Sequence, residues 1–423
     1  MPVMTRIPLS WQQESFLGVP DRVGEPEAIP EQFTVPAGVT ADEVLARLTR
    51  IVAEEPSLRI VSVSLSGVTI ADQVPLPVTR CVVSDAEEIA DVVARHKETV
   101  LPRDGRPLWR VLLIEHGTAV RVFVQFDHLI ADRLTLGQFR AELCTGIRPP
   151  AGRGGGGYLD WVTTQRTEFS ADRRASSAAA EFWRRHLDGT SPHRAPRMPL
   201  TYNETDGQRQ PGTALLAAYM PIPADKVAQA CKSVRATPLS LVLASTAATL
   251  ARMGGEEDLT LKVLTAGRRP RSAAVYGWLN SVVPLRLRDP GLASFTRALD
   301  VTRTAWREVL PRQHTPWEFI WRMCEPGAPS GTGWVAGAGQ LIVNMFPDAL
   351  TGLDPRTYPD KFLPGARRDC ADLEVSSFGA DGYLMRLICD TAWGAPHEMR
   401  SLIDAIRDDF MANVRSILSG GEH

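Results

Sequence analysis

Val120-Arg121-Val122-Phe123-Val124-Gln125-Phe126-Asp127-His128-Leu129-Ile130-Ala131-Asp132-Arg133 is the stretch from which the fold is read. Its first seven residues place Val120, Val122, Val124 and Phe126 on one face of a strand, and the same parity carried two residues further puts His128 on that apolar side. Just upstream, Trp109-Arg110-Val111-Leu112-Leu113-Ile114-Glu115 is a second strand-like run, and His116-Gly117 suits the turn of a hairpin between the two. Downstream, Thr135 followed by Gln138 has the form of a capping box, after which Leu136, Phe139 and Leu143 keep one helical face apolar. The segment predicts strand, tight loop and helix, with His128 pointing inward and Asp132 in the loop.

Working outward, Val44, Leu45, Leu48, Ile51 and Val52 recur at the spacing of one helix face, behind a polar, Pro-interrupted stretch from Asp21 to Thr40 that reads as loop. The run from Arg148 to Gly157, RPPAGRGGGG, has the composition of a flexible loop, and with no GKS or GKT after it and no GxGxxG opening a helix, a nucleotide site has little support. Small and charged residues from Ala171 to Ala180 lead into a helix with Phe182, Trp183 and Leu187. A chain of 423 residues is too long for one ordinary core. Two halves are therefore expected, 1–175 carrying the DHLIADR sequence and 176–423. In the second half Thr237 and Pro238 open a helix with Leu239, Val242, Leu243, Leu250 and Met253 as its buried stripe. Leu259, Leu261 and Val263 alternate as a strand, Gly277 to Arg286 and Leu384 to Asp390 read as further strands, and Met399, Ile403, Ile406 and Phe410 share one face of a closing helix. Strands and helices thus mix throughout, an α/β (α+β) pattern.

A hydrophobic share of 44%, a charged share of 23% and a formal charge of -2 leave no long-range field for nucleic acid or anionic lipid. No apolar run approaches the roughly 18 residues of a spanning helix, and Met1 to Ser10 lacks the pattern of a leader, so neither membrane nor nucleic acid is expected and the cytoplasm is the default location. Cys81, Cys144, Cys231, Cys324, Cys370 and Cys389 stand singly, without metal-ligand spacing, and read as reduced packing thiols.

Chemistry concentrates at Asp127-His128-Leu129-Ile130-Ala131-Asp132-Arg133, where a strand delivers a histidine and a carboxylate four residues apart into one turn. A neutral imidazole opening on a channel suits proton transfer during attack of an amine or hydroxyl on an acyl carbonyl. Asp132 is read as structural, because a buried carboxylate needs a cationic partner. Arg268 is the candidate cation, facing it across the two halves, against the plain reading of a surface arginine in a turn with Arg269. Asn280 and Ser281 are candidate channel-lining residues, against the plain reading of a strand satisfying its own polar groups. His314 beside Pro316 reads as closing a loop, and Trp161, Trp183 and Trp317 as core.

The loop resembles the HHxxxDG signature of the condensation domains of nonribosomal peptide synthesis, a family of the chloramphenicol-acetyltransferase-like superfamily. Other signatures occur around it in the family's order. Leu9 to Leu17 resembles the opening motif with its Ser and Gln, Ser57-Leu58-Arg59 is similar to ExLRT, and Arg106 to Val111 is similar to PLxRV. Tyr158-Leu159-Asp160-Trp161 resembles YxDYA, Thr265-Ala266-Gly267-Arg268 resembles PxAGR, Gly277 to Arg286 is similar to GxFVNTLPLR, and His314 to Glu318 matches HxxPFE loosely. The resemblance implies two acetyltransferase-like lobes in a V with a central channel and a catalytic His128. It implies an acyl group passed from a carrier-protein thioester to an amine or hydroxyl that is a small molecule or itself carrier-bound. No bound cofactor or metal is implied. The phosphopantetheine belongs to the carrier protein, expected in trans since no carrier or adenylation segment is recognised in the chain.

Two positions depart from the signature: Asp127 stands where the first His would be, and Arg133 where the Gly would be. Arg133 lies where the family's pantetheine arm approaches, and it either narrows the donor tunnel or binds a phosphate. Three readings stay open: a carrier-dependent condensation enzyme, an inactive condensation-like domain that recruits a partner enzyme or carrier, and an acyltransferase using coenzyme A thioesters.

Overall fold

A computed structural model of the chain describes residues 3–17, 28–98, 101, 105–148, 157–192, 194–200, 212–326, 340–346, 354–364 and 370–420. Eight of the ten residues of the Gly-rich run, 149–156, lie outside these. The described residues fall into two compact units, one built from Met1–Arg174 with Ala266–Asn280, the other from Ala175–Thr265, Ser281–Ala328 and Trp334–His423. The segment Ala266–Asn280 thus packs with the first unit although both of its flanks belong to the second.

In the first unit the described elements are β1 (Met4–Ile7), α1 (Trp11–Leu17), β2 (Ala28–Thr34), α2 (Ala41–Glu54), β3 (Ile60–Ser64), β4 (Gly67–Ala71), β5 (Val78–Val82), α3 (Ala86–Glu98), β6 (Trp109–His116), β7 (Ala119–Asp127), α4 (Arg133–Thr145), α5 (Tyr158–Glu168) and α6 (Ala171–Ser176), the last running across the unit boundary. The hairpin β6/β7 pairs Trp109 with Phe126 and closes at His116 opposite Ala119. It forms the centre of a four-stranded sheet ordered β2-β7-β6-β5, and a small sheet ordered β1-β4-β3 stands beside it in the same unit. Leu112, Ile114 and Phe123 on one face of the hairpin pack with Val83, Ile89 and Val93 around α3. Parity sends Trp109 and Phe126 to the other face, where they meet the Phe139 ring of α4, with centroids 5.2 Å apart between Phe126 and Phe139. The stretch expected to be loop from Asp21 onward contains strand β2, paired along β7 from Ala28 opposite Asp127 to Thr34 opposite Arg121. Pro30 obscures it in the sequence, yet β2 is an edge strand, where a missing N–H is tolerated.

The second unit continues with α7 (Ala178–His186), β8 (Gly212–Met220), α8 (Ala224–Ser233), α9 (Pro238–Gly254), β9 (Asp258–Thr265), β10 (Ser281–Arg288), α10 (Phe295–Val309), α11 (Trp317–Cys324), β11 (Gln340–Phe346), β12 (Lys361–Pro364), β13 (Cys370–Ser377), β14 (Tyr383–Asp390) and α12 (Pro396–Leu418). One mixed seven-stranded sheet, ordered β10-β9-β11-β13-β14-β8-β12, runs through it. Helix α9 starts as expected, Thr237 accepting from the N–H of Ser240, but every residue from Ser240 to Ala251 is buried. It is a central helix without a polar face, and the one-sided stripe read from sequence is too narrow. Met253, assigned to that stripe, is 40% exposed. Met399, Ile403, Ile406 and Phe410 of α12 are fully buried. Among the described residues no single helix is long and apolar enough to cross a membrane.

Candidate active site

Strand β7 ends at Asp127, and His128, Leu129 and Ile130 form one turn of 3-10 helix before α4. The alternation that would have carried His128 into the apolar face therefore stops one residue early. It is Asp127 that is fully buried, while His128 is half-buried. Asp127 caps the turn, one carboxylate oxygen accepting from the N–H of Leu129 at 3.0 Å, and its own N–H reaches the carbonyl of Leu108.

The ring of His128 makes one decisive contact, with Nδ1 lying 3.0 Å from the carbonyl oxygen of Ala131. A carbonyl can only accept, so Nδ1 carries the proton there and Nε2 keeps its lone pair in the neutral ring. The ring also lies against the buried indole of Trp278, with centroids 4.3 Å apart and planes tilted by 40°.

Asp132 starts α4. The capping box read at Thr135 and Gln138 is corrected: the cap is Asp132, whose Oδ1 accepts from the N–H of Thr135 at 2.9 Å, and Thr135 occupies the third helical position. The Thr135 hydroxyl donates to the carbonyl of Gly277 at 2.8 Å, and Gln138 reaches the carbonyl of Ala273. Asp132 is 1% exposed and collects four further bonds. Arg268 grips it bidentately, Nη1 to Oδ2 at 2.7 Å and Nη2 to Oδ1 at 2.9 Å, and the N–H groups of Leu279 and Asn280 donate to Oδ2 at 2.9 and 3.0 Å. Burial alone would raise this carboxyl. The guanidinium and the backbone donors outweigh it and hold the group below the ordinary Asp value. Arg268 is itself 6% exposed and also donates to the Thr135 hydroxyl at 3.0 Å. Arg268 is thus the buried cation expected for Asp132, and both residues lie in the first compact unit, because Ala266–Asn280 packs there.

That segment explains why the strand expected from Gly277 begins only at Ser281. The N–H groups of residues 279 and 280 are spent on Asp132 instead of a sheet ladder. Gly267, at φ +63°, is obligatory for the geometry, since a Cβ there would stand 1.8 Å from the carbonyl oxygen of Leu279. Asn280 is half-buried and accepts the indole N–H of Trp278. Ser281 belongs to the second unit, is 4% exposed and donates to the carbonyl of Thr315 at 3.0 Å. Arg133, half-buried, is the first residue of α4.

Three contributors were missed in the sequence. Gln13, fully buried on α1, donates to the carbonyl of Leu129 at 2.8 Å and to the Tyr158 hydroxyl at 2.9 Å, fixing the loop from behind. Thr135 ties α4 to Gly277, and Trp278 covers His128. The opening motif contained the first of these, but no local pattern announces a contact across more than a hundred residues. Among the described residues no group of three His, Cys, Asp or Glu side chains could hold a metal ion.

A family model described as the condensation domain matches residues 34–329. The chain belongs to the condensation-domain family. Phosphinothricin tripeptide synthetase PhsB of Streptomyces viridochromogenes is 25% identical over 249 residues, which cover 57% of this chain and only 20% of that protein. The condensation domain of the Monacolin K polyketide synthase MokA superposes with a TM-score of 0.74 at 15% identity, covering 98% of both chains. The X-domain of teicoplanin biosynthesis, solved in complex with OxyB, gives 0.67 at 18% identity over 99% of this chain and 94% of that one. At such identities the likeness establishes the fold, the chloramphenicol-acetyltransferase-like fold of condensation domains. Condensation domains work with carrier proteins in nonribosomal peptide and polyketide synthesis, generally form amide bonds, and take phosphopantetheine-tethered substrates without a metal cofactor.

Proposed function

We propose that this chain is an active condensation enzyme, transferring an acyl group from a carrier-bound thioester to an amine or, less readily, a hydroxyl. The observation that carries this is the state of His128: Nδ1 committed to Ala131, Nε2 left with its lone pair, and the ring half-exposed at the end of a rigidly anchored strand. In the reaction the nucleophile's nitrogen or oxygen bonds to the thioester carbon while His128 Nε2 receives its proton. The C–S bond then breaks, and the proton passes to the departing pantetheine thiolate, so imidazole returns to its starting form. Holding the two reactants in near-attack geometry supplies on the order of 7 kcal/mol without further chemistry, and a positioned base adds roughly 100-fold or more. Asp132 and Arg268 serve as structure, since the bonds of Asp132 to Thr135, Leu279, Asn280 and Arg268 hold backbone and guanidinium in place.

A second reading is favoured by the departures at Asp127 and Arg133 together with the fold shared with an X-domain that was solved bound to another protein. In it the chain recruits a partner enzyme or carrier and turns nothing over. Intact-mass spectrometry separates the readings: wild-type and His128→Ala proteins are mixed with acyl-loaded carrier proteins, or acyl-coenzyme A, and a panel of amines and alcohols. Product with wild type and none with His128→Ala supports the condensation enzyme. Turnover with coenzyme A alone moves the donor to a small thioester, in which case Arg133→Gly lowers its use. No product with any donor, beside tight carrier or partner binding, overturns the proposal in favour of recruitment.

A further inference from the structure

We propose that Trp278 is the positioning residue for His128: its indole face holds the imidazole in the plane that keeps Nδ1 on Ala131 and turns Nε2 toward the reacting proton. This rests on His128 being the base of the proposed reaction. The position is the one that the GxFVNTLPLR signature leaves open, so the resemblance assigns it no role.

Cβ, Cγ and Nδ1 all lie in the imidazole plane, so the bond to Ala131 selects that plane, but the broad angular tolerance of one hydrogen bond still lets the ring rock about Cβ–Cγ. A second contact narrows that motion, and the Trp278 indole, 4.3 Å from the imidazole centroid, supplies it. The indole is itself held from three sides. Its N–H is donated to the side-chain carbonyl of Asn280, and the Phe16 ring meets it edge-on at 5.7 Å. The backbone on its C-terminal side, residues 279 and 280, is anchored to Asp132 Oδ2. Trp278 is 2% exposed and so cannot swing away into solvent. The carboxylate that caps α4 thereby orients the histidine four residues before it through the backbone of 279–280 and the indole. A tight catalytic geometry depends on such support behind the reacting group, and small displacements of that group cost rate steeply.

The test reads the ring directly. The protein is labelled with 15N histidine, the His128 signals are assigned by their loss in His128→Asn, and spectra are taken at pH 8, above the ordinary histidine pKa of about 6.5. In wild type, one ring nitrogen resonates as a protonated, pyrrole-like nitrogen and the other as an unprotonated one. In Trp278→Leu the two values are expected to move toward each other as tautomers and orientations mix, with kcat falling roughly tenfold, the scale of one lost aromatic contact, and KM unchanged. Trp278→Phe keeps an aromatic face and restores most of both signals. Asn280→Ala, which frees only the indole N–H, gives a smaller change in the same direction and serves if Trp278→Leu does not fold. Unaltered His128 nitrogen shifts in Trp278→Leu, or in Asn280→Ala should that variant fail to fold, overturn the proposal. Because the spectra need no turnover, an inactive wild type would defeat the proposed reaction while leaving this inference tested on its own.

Discussion

Replacing Arg268 by alanine should destabilise the first unit by about 3 kcal/mol at pH 7, and the deficit should shrink in acid. The magnitude follows from burial. Asp132 and Arg268 are 1% and 6% exposed, so neither charge has water to fall back on. Breaking such a pair by removing one partner costs about 3–5 kcal/mol, because the other charge is left buried. The three N–H groups of Thr135, Leu279 and Asn280 remain on the carboxylate and keep the loss toward the lower end. The sign with pH is fixed by the same bonds. In the wild type the Asp132 carboxyl is held below its ordinary value, so its stabilising contribution is present above the unfolded value of about 3.9 and is lost only as pH falls through the lower folded value. Without Arg268, burial prevails and the carboxyl shifts upward. The variant then regains stability as pH falls through that raised value toward about 4, and the gap to wild type narrows. Urea denaturation at pH 7 and near pH 4.5 measures both quantities, and Arg268→Met combined with Asp132→Asn, which removes both charges, should lose less than Arg268→Ala at pH 7. A deficit under about 1 kcal/mol, or one equal at the two pH values, would refute the claim that this pair is desolvated.

Gly267→Ala should cost roughly 3 kcal/mol or more, the sum of a left-handed backbone and a side chain with no room beside the Leu279 carbonyl, and a thermal scan in which it loses less than about 1 kcal/mol would contradict the path drawn for residues 266–280. At the far end of α4, burial pushes the Glu55 carboxyl up to about 7 against the pull of Arg148, with Glu142 adding to the rise. A raised carboxyl contributes stability below its unfolded value of about 4.5 that is lost as pH climbs to about 7, so Glu55→Gln should gain on wild type between pH 5 and pH 8, by up to roughly 3 kcal/mol; urea titrations showing a constant difference would rule this out.

What was legible in the sequence was whatever is encoded locally. The hairpin showed in two apolar alternations around His116-Gly117, and α9 in Thr237-Pro238 followed by an apolar run. His128 and Asp132 stood out by their place between a strand and a helix. Alternation carries the reading only as far as Asp127, which ends the strand by capping a 3-10 turn, and that turn sets the half-buried place of His128. The helix start was misread because Thr135, a good cap by type, is occupied with Gly277, while Asp132 holds both the helix and the arginine. Strand β2 was hidden by Pro30, whose cost vanishes on an edge. The segment 266–280 was legible only as motifs: nothing in its composition says that it leaves the unit of its neighbours, because the forces that take it away are Asp132, Thr135 and the lack of a Cβ at Gly267.

The two departures from the family signature stand on different physical ground. Asp127 is spent inward: its carboxylate caps the turn that displays His128, so what replaces the family's first histidine has local structural work whether or not the protein turns over substrate. Arg133 stands elsewhere, at the start of the helix. It occupies the first position of α4, where a cation opposes the positive end of the helix dipole by a few tenths of a kcal/mol or more, and the cap that makes the helix start is provided by Asp132 without it. The start of α4 therefore does not depend on a cation at this position, which adjoins the carboxylate that organises the site. Whether the cation acts on what approaches His128 is read by removing Arg133 and varying the donor in one experiment.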